Sequence, residues 1–232
     1  MSWRYNRSLL QQQSGGVGGG GAGWEGTVNF LAGGTTTAGH ASVTPTADAL
    51  QVYLVHVERG SSTTPVQPTS VTGNGLTFAK VLDLPARISG VTRTAASLWF
   101  AQGSSPTTGG LTVTGFTTSL VSSHRVEITG VKTQAAILDF IRQSKVSTVA
   151  TGGVQSVTFD NSFGSSPLVI AGSTSYQAAT VEPVAESPLI DVPIDASKRC
   201  GFGYVGAALA SPAIDTSTAG NQAIFALELD VV

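Results

Sequence analysis

Three histidines, one cysteine and a scatter of carboxylates are the side chains here that could do chemistry. His40 lies in a Gly/Ala stretch, His56 ends an apolar run and His124 precedes Arg125. A metal ion needs several His, Cys or carboxylate ligands at short spacing, and none of the three has such a companion. Each reads as a surface histidine or a strand histidine satisfied by its neighbours. Cys200 follows Lys198-Arg199. Adjacent positive charge can lower a thiol pKa and create a nucleophile, but no histidine or helix start accompanies it. A small buried residue at a strand start is the simpler reading. A nucleophilic serine is expected in an elbow such as Gly-x-Ser-x-Gly. Gly164-Ser165-Ser166-Pro167 and Gly172-Ser173-Thr174 do not fit it and read as turns beside strands.

The carboxylates Asp160, Glu182, Glu186, Asp191 and Asp195, with Asn161, gather in the second part of the chain. Pro183, Pro188 and Pro193 make the Glu182–Asp195 stretch extended and irregular. Such a stretch could offer oxygen ligands to Ca²⁺, but it lacks the Asp-x-Asp-x-Asn-Gly spacing of a calcium loop. A solvated acidic loop is the expectation. No catalytic residue, cofactor site or metal site is assigned. Among the aromatics, Trp99 and Phe100 are adjacent and so point to opposite faces of a strand. One is expected in the core and the other exposed or in an interface, which makes Trp99, with Tyr204, a candidate for glycan stacking or an interface.

Positioning these residues falls to a chain of 232 residues, 41% hydrophobic and only 11% charged, with 28 glycines. A net charge of −2 gives no bulk attraction to nucleic acid or anionic lipid. A single cysteine excludes a disulfide framework. The mean hydropathy of +0.19 speaks against disorder throughout. The apolar runs, such as Ala49–Val57, are far shorter than the roughly 20 residues of a spanning helix. Leu9-Leu10 passes at once into Gln11-Gln12-Gln13, so no signal-peptide core is present. A β-rich, hydroxyl-rich chain of surface character with no export signal fits a virion protein made in the host cytoplasm and released by lysis.

Residues 1–25 stand apart. Trp3, Arg4, Tyr5, Arg7, Leu9 and Leu10 precede the nearly pure glycine stretch Gly15–Gly23. Trp, Tyr and Arg anchor interfaces, and a glycine tether would let them reach a neighbour. The expectation is an N-terminal docking arm. From residue 26 short strands follow one another: Thr27–Leu31, Leu50–Val57, Leu76–Val81, Ala96–Ala101, Leu111–Phe116, Arg125–Val131, Val154–Phe159, Leu168–Ala171, Gly201–Val205 and Ala223–Val231. Gly73-Asn74-Gly75 marks a turn. Ala135–Arg142 reads as a short helix or a further strand. The pattern predicts an all-β fold, an antiparallel β-sandwich of jelly-roll or Ig-like type.

The order of features also repeats. Asp48–Val57, Trp99-Phe100-Ala101 and Val126-Glu127-Ile128 are echoed by Ser166–Gly172, Phe202-Gly203-Tyr204 and Leu227-Glu228-Leu229. Two related β-units, 26–142 and 143–232, are therefore expected.

The runs Ser42-Val43-Thr44-Pro45, Asp48–Val55, Ser70–Phe78 and Ser97–Ala101 resemble β-sandwich structural proteins of tailed bacteriophages and related uncharacterised bacterial surface proteins. The resemblance spans residues 40–232 and rests on packing and turn motifs. It implies a non-enzymatic virion component: a capsid-surface decoration or minor capsid protein, or else a tail, neck or fibre protein. The partners implied are other virion proteins such as the major capsid protein, and further copies of the chain. A host surface glycan is the alternative partner; direct nucleic-acid binding and membrane insertion are not expected.

Overall fold

The structure is a computed structural model. It describes residues 24–35, 40–58, 67–88, 91–116, 119–149, 153–165, 167–175, 181–183, 190–191, 200–205, 208, 210–216 and 222–231. The strands are β1 (Val28–Thr35), β2 (Leu50–Glu58), β3 (Ser70–Gly73), β4 (Leu76–Thr77), β5 (Ala79–Ile88), β6 (Val91–Ala101), β7 (Leu111–Thr114) and β8 (Ser119–Ile128). The second run is β9 (Ile141–Val149), β10 (Gly153–Ser156), β11 (Pro167–Ser175), β12 (Val181–Pro183), β13 (Ile190–Asp191), β14 (Cys200–Val205), β15 (Ala213–Thr216) and β16 (Gln222–Asp230). The fold is all-β, and among the described residues every strand pairing is antiparallel.

Strands β1–β8 form a five-stranded sheet, β1-β8-β2-β6-β5, and a three-stranded sheet, β4-β3-β7. Val43 adds a bridge beside β7, pairing with Gly109. Counted in chain order with that bridge as the second strand, and β4 and β5 together as the fifth, the neighbours run 1-8-3-6 and 2-7-4-5. That is the strand order of a jelly roll. Strands β9–β16 repeat it, with β9-β16-β11-β14-β13 as one sheet and β10-β15-β12 as the other.

Side-chain alternation explains the layering. Leu50, Val52 and Leu54 of β2, Leu98 and Phe100 of β6, and Val126 and Ile128 of β8 point one way. Leu168 and Ile170 of β11 and Phe225, Leu227 and Leu229 of β16 meet them, so the two five-stranded sheets pack face to face over one core. Tyr53, Val55, Trp99 and Ala101 point the other way and are covered by Val71, Phe78 and Leu111 of the small sheet and its flanks. In the second half Val169, Ala171, Ile224 and Ala226 are covered by Val157 and Phe159, which follow β10. The central strands of the five-stranded sheets are thus covered on both faces, as their near-continuous apolar runs demand.

Asn74 and Gly75, with φ of 55° and 66°, form the two-residue turn between β3 and β4. Asn-Gly tolerates that left-handed backbone where other residues would be strained. The segment Ala135–Arg142 is a 3-10 turn (Ile137–Phe140) running directly into β9. Phe140 is buried in the shared core while Leu138 is exposed. A turn that ends where a strand begins leaves no room for a helix. Leu76–Val81, expected as one strand, is divided between two sheets at the buried Phe78.

Candidate functional site

Buried polar groups are hydrogen-bonded or costly. The largest such group lies on the small-sheet side of β2 and β8. Register places Gln51 opposite Glu127 and Tyr53 opposite Arg125. The Glu127 carboxylate, 3% exposed, accepts from the Thr46 backbone N–H at 2.6 Å, the Thr46 hydroxyl at 2.8 Å and Gln51 Nε2 at 3.0 Å. Arg125, fully buried, donates from Nη2 to Gln51 Oε1 at 3.3 Å. The arrangement is a relay: Arg125 to Gln51 to Glu127, with Thr46 closing it from the loop before β2. Burial works against the Arg125 charge, and the field of Glu127 favours it. Burial also pushes the Tyr53 phenol well above its usual range; Ser123 and Arg125 pull the other way. His40 stacks edge-on to Tyr53 at 5.9 Å, and burial lowers its pKa.

The second half carries a counterpart. Leu50 pairs with Ile128 and Leu168 with Leu229, so Glu228 occupies the position of Glu127. The Glu228 carboxylate, fully buried, accepts from the Gly164 backbone N–H at 2.7 Å and from Gln143 Nε2 at 2.5 Å. Arg142 reaches it at 3.5 Å. Thr46 and Gly164 each lie four residues before Leu50 and Leu168. Both halves therefore hold the loop ahead of their third strand with a glutamate from their last. At the other positions the halves differ: Tyr53 and Arg125 correspond to Ala171 and Ala226. What the first-half relay does chemically is fix a loop and orient a guanidinium inside the sandwich.

Trp99 requires a correction. Of the two outcomes expected for the second residue of the Trp99–Phe100 pair, exposure fails: Phe100 is in the shared core and Trp99 is 3% exposed beneath the small sheet. Its indole donates to Ser97 Oγ at 2.9 Å and Lys80 lies over its ring. A sugar ring cannot reach it. Trp99 and Phe100 do point to opposite faces, but both faces of the sheet are covered at this strand. Tyr204 is half-buried against the shared core, at the position equivalent to Phe100, and burial raises its pKa. His56 and His124 are buried strand residues, and Cys200 opens β14 opposite Thr174. Asp160 pairs with Lys145, and Asn161 exchanges two hydrogen bonds with Gln143. Glu182 and Asp191 fall in β12 and β13, whereas Glu186 and Asp195 lie outside the described residues. Among the described residues no three His, Cys, Asp or Glu side chains come together to hold a metal ion. Nor is any described helix long and apolar enough to cross a membrane. Trp3, Arg4, Tyr5, Arg7, Leu9 and Leu10 lie outside the described residues.

Glu127 and Glu228 were visible in the sequence as matching features. Thr46, 81 residues from Glu127, was not, since nothing local marks a loop residue as a carboxylate's partner. Compared with protein-family models, with curated proteins and with solved structures, the chain matches none.

Proposed function

We propose that this chain is a non-enzymatic structural component of a bacteriophage virion, a capsid-surface decoration or minor capsid protein that docks through its N-terminal arm. The observation that carries the reading is the pair of jelly-roll halves packed back to back over one apolar core. Jelly rolls serve as capsid and lectin domains because two closed-up sheets make a stiff body whose loops and edges remain for partners. The fold alone does not fix a function. The sequence adds low charge, abundant hydroxyls and a terminus rich in interface residues. The alternative of a glycan-binding module loses its main aromatic with the burial of Trp99.

The body is the rigid part in this reading, and residues 1–14 supply the contact. The test is density-gradient purification of phage particles from a lysate in which the chain is produced. The full chain is expected to co-sediment with particles, and the variant lacking residues 1–14 is expected to remain at the top of the gradient. Absence of the full chain from purified particles sinks the reading. Equal incorporation of the shortened variant sinks the role of the arm.

A further inference from the structure

Arginine is seldom fully buried unless an anion pairs with it. Arg125 of β8 departs from that rule. Its side chain is completely covered, on the small-sheet side of the first half. Among the described residues no carboxylate comes within ion-pair distance of it. Nη2 donates to Gln51 Oε1 at 3.3 Å. Nε and Nη1 are buried with no acceptor.

Glu127 does not fill this gap. Its carboxylate is taken up by Thr46 and by Gln51 Nε2, and the Gln51 amide stands between it and the guanidinium. Its field helps to keep Arg125 charged but brings no oxygen to the free N–H groups. The neighbours across the two ladders are Ala32 of β1 and Tyr53 of β2. Alanine offers no polar side-chain atom. The Tyr53 hydroxyl, near Ser123, is itself buried and makes no hydrogen bond of ordinary geometry. His40 packs edge-on to the tyrosine ring at 5.9 Å, and its Nε2 is also buried without a partner.

The kind of group left unfilled selects the occupant. Guanidinium N–H groups can only donate, and a phenol donates readily. A water oxygen could accept from them, but its own two hydrogens would then face further donors. An anion accepts from every side. Arg125 and Tyr53 are both fully buried, so the occupant must be an ion of a few atoms at most. One guanidinium neutralises one negative charge, and nearby Glu127 disfavours a second.

We infer that Arg125 and Tyr53 hold a monovalent inorganic anion such as chloride inside the first jelly roll. The ion lies against the guanidinium N–H groups that Gln51 leaves free and accepts from the phenol. It touches the guanidinium while the Gln51 amide separates it further from the Glu127 carboxylate, so attraction outweighs repulsion. The ion completes the relay through Arg125, Gln51 and Glu127 to Thr46, and so couples anion binding to the loop before β2. In the second half the corresponding positions are Ala171 and Ala226, so one ion per chain is expected. This site is independent of the arm and of any docking role.

Thermal unfolding of the full chain in sodium chloride, sodium bromide and sodium gluconate, at matched ionic strength, tests the inference. Gluconate is too large to be enclosed and serves as the control. Chloride and bromide are expected to raise Tm above its value in gluconate. The rise is expected to be roughly 3–6 °C for each tenfold increase in halide above its dissociation constant. Tyr53→Phe is expected to need at least tenfold more chloride for the same shift, and Arg125→Met to show no chloride response. If Arg125→Met does not fold, Tyr53→Phe carries the comparison. Wild-type crystals soaked in bromide are expected to show an anomalous peak beside Arg125. Equal Tm values in chloride and gluconate overturn the inference, and so does water alone beside Arg125 in the bromide crystals. A chloride response that survives unchanged in the variants also overturns it, because the ion then binds elsewhere.

Discussion

A carboxylate that accepts a backbone N–H from a loop ties that loop to a sheet without any apolar area. Glu127 does this for Thr46 and Glu228 for Gly164, both from buried positions. Removing Glu127 leaves the Thr46 N–H and the buried Gln51–Arg125 pair without their acceptor, and removing Glu228 does the same to the Gly164 N–H, the Gln143 amide and Arg142. Together those losses cost about 3 kcal/mol. For a chain of this size Glu127→Leu and Glu228→Leu are each expected to lower Tm by roughly 6–12 °C in thermal unfolding. The exposed control Glu25→Leu should stay within about 0.5 kcal/mol of wild type. A Glu127→Leu protein that melts with the wild type would contradict the role of the carboxylate. The same cluster sets a pH dependence. Burial raises the Tyr53 phenol, so the folded protein keeps a proton that the unfolded chain loses near pH 10. Stability is therefore expected to fall as pH rises above about 10, and Tyr53→Phe should flatten that slope in melts taken between pH 9 and 11. His40 acts at the other end. Its lowered pKa means that the unfolded chain takes up a proton first, so stability falls as pH drops below about 6.5.

At the scale of elements, the sequence was legible where local pattern decides and silent where a partner decides. Strands β2, β6, β11 and β16 were found because β-branched and aromatic residues fill them, and the Asn74-Gly75 turn because left-handed backbone selects that pair. The runs Leu50–Val57 and Ala223–Leu229 held more than was taken from them. Such near-continuous apolar stretches signal cover on both faces, and the same cover buries Trp99 along with Phe100. Strand β9 was missed for the opposite reason. Its residues Arg142–Thr148 alternate exposed with partly buried and include few apolar side chains, so only pairing with β16 makes it a strand. Asn74 shows both cases in one residue. Its turn was readable, but its side-chain amide lies within 3.0 Å of the carbonyls of Val43, Thr107 and Gly109. Those contacts join three segments that no window of sequence brings together.

For the whole molecule the governing fact is that the same sheet of each half is turned inward. In each half the order β1-β8-β2-β6-β5 or β9-β16-β11-β14-β13 presents its second apolar face to the other half. A jelly roll needs only one buried face per sheet to enclose its own core. The extra face is explained by the partner half, and Phe140, in the connecting turn, is buried in the seam between them. Lys132, earlier in that connection, pairs with Asp230 at 2.8 Å, and its carbonyl accepts from Gln102 Nε2 at 3.1 Å, so the connection is held to both halves. Residues 26–142 produced alone would expose Leu50, Val52, Leu54, Leu98, Phe100, Val126 and Ile128 as one patch. Monomeric proteins rarely leave more than a few hundred Å² of contiguous apolar surface uncovered. Each half alone is therefore expected to aggregate or self-associate, whereas halves 26–142 and 143–232 produced together should co-purify as a 1:1 complex. Light scattering after size-exclusion chromatography measures both. A soluble, monomeric first half with a cooperative melt near that of the intact chain would mean that the shared core adds little. Phe225→Ala, which removes a fully buried ring from the other side of the seam, should then cost far less than the usual 3–5 kcal/mol for a large core deletion.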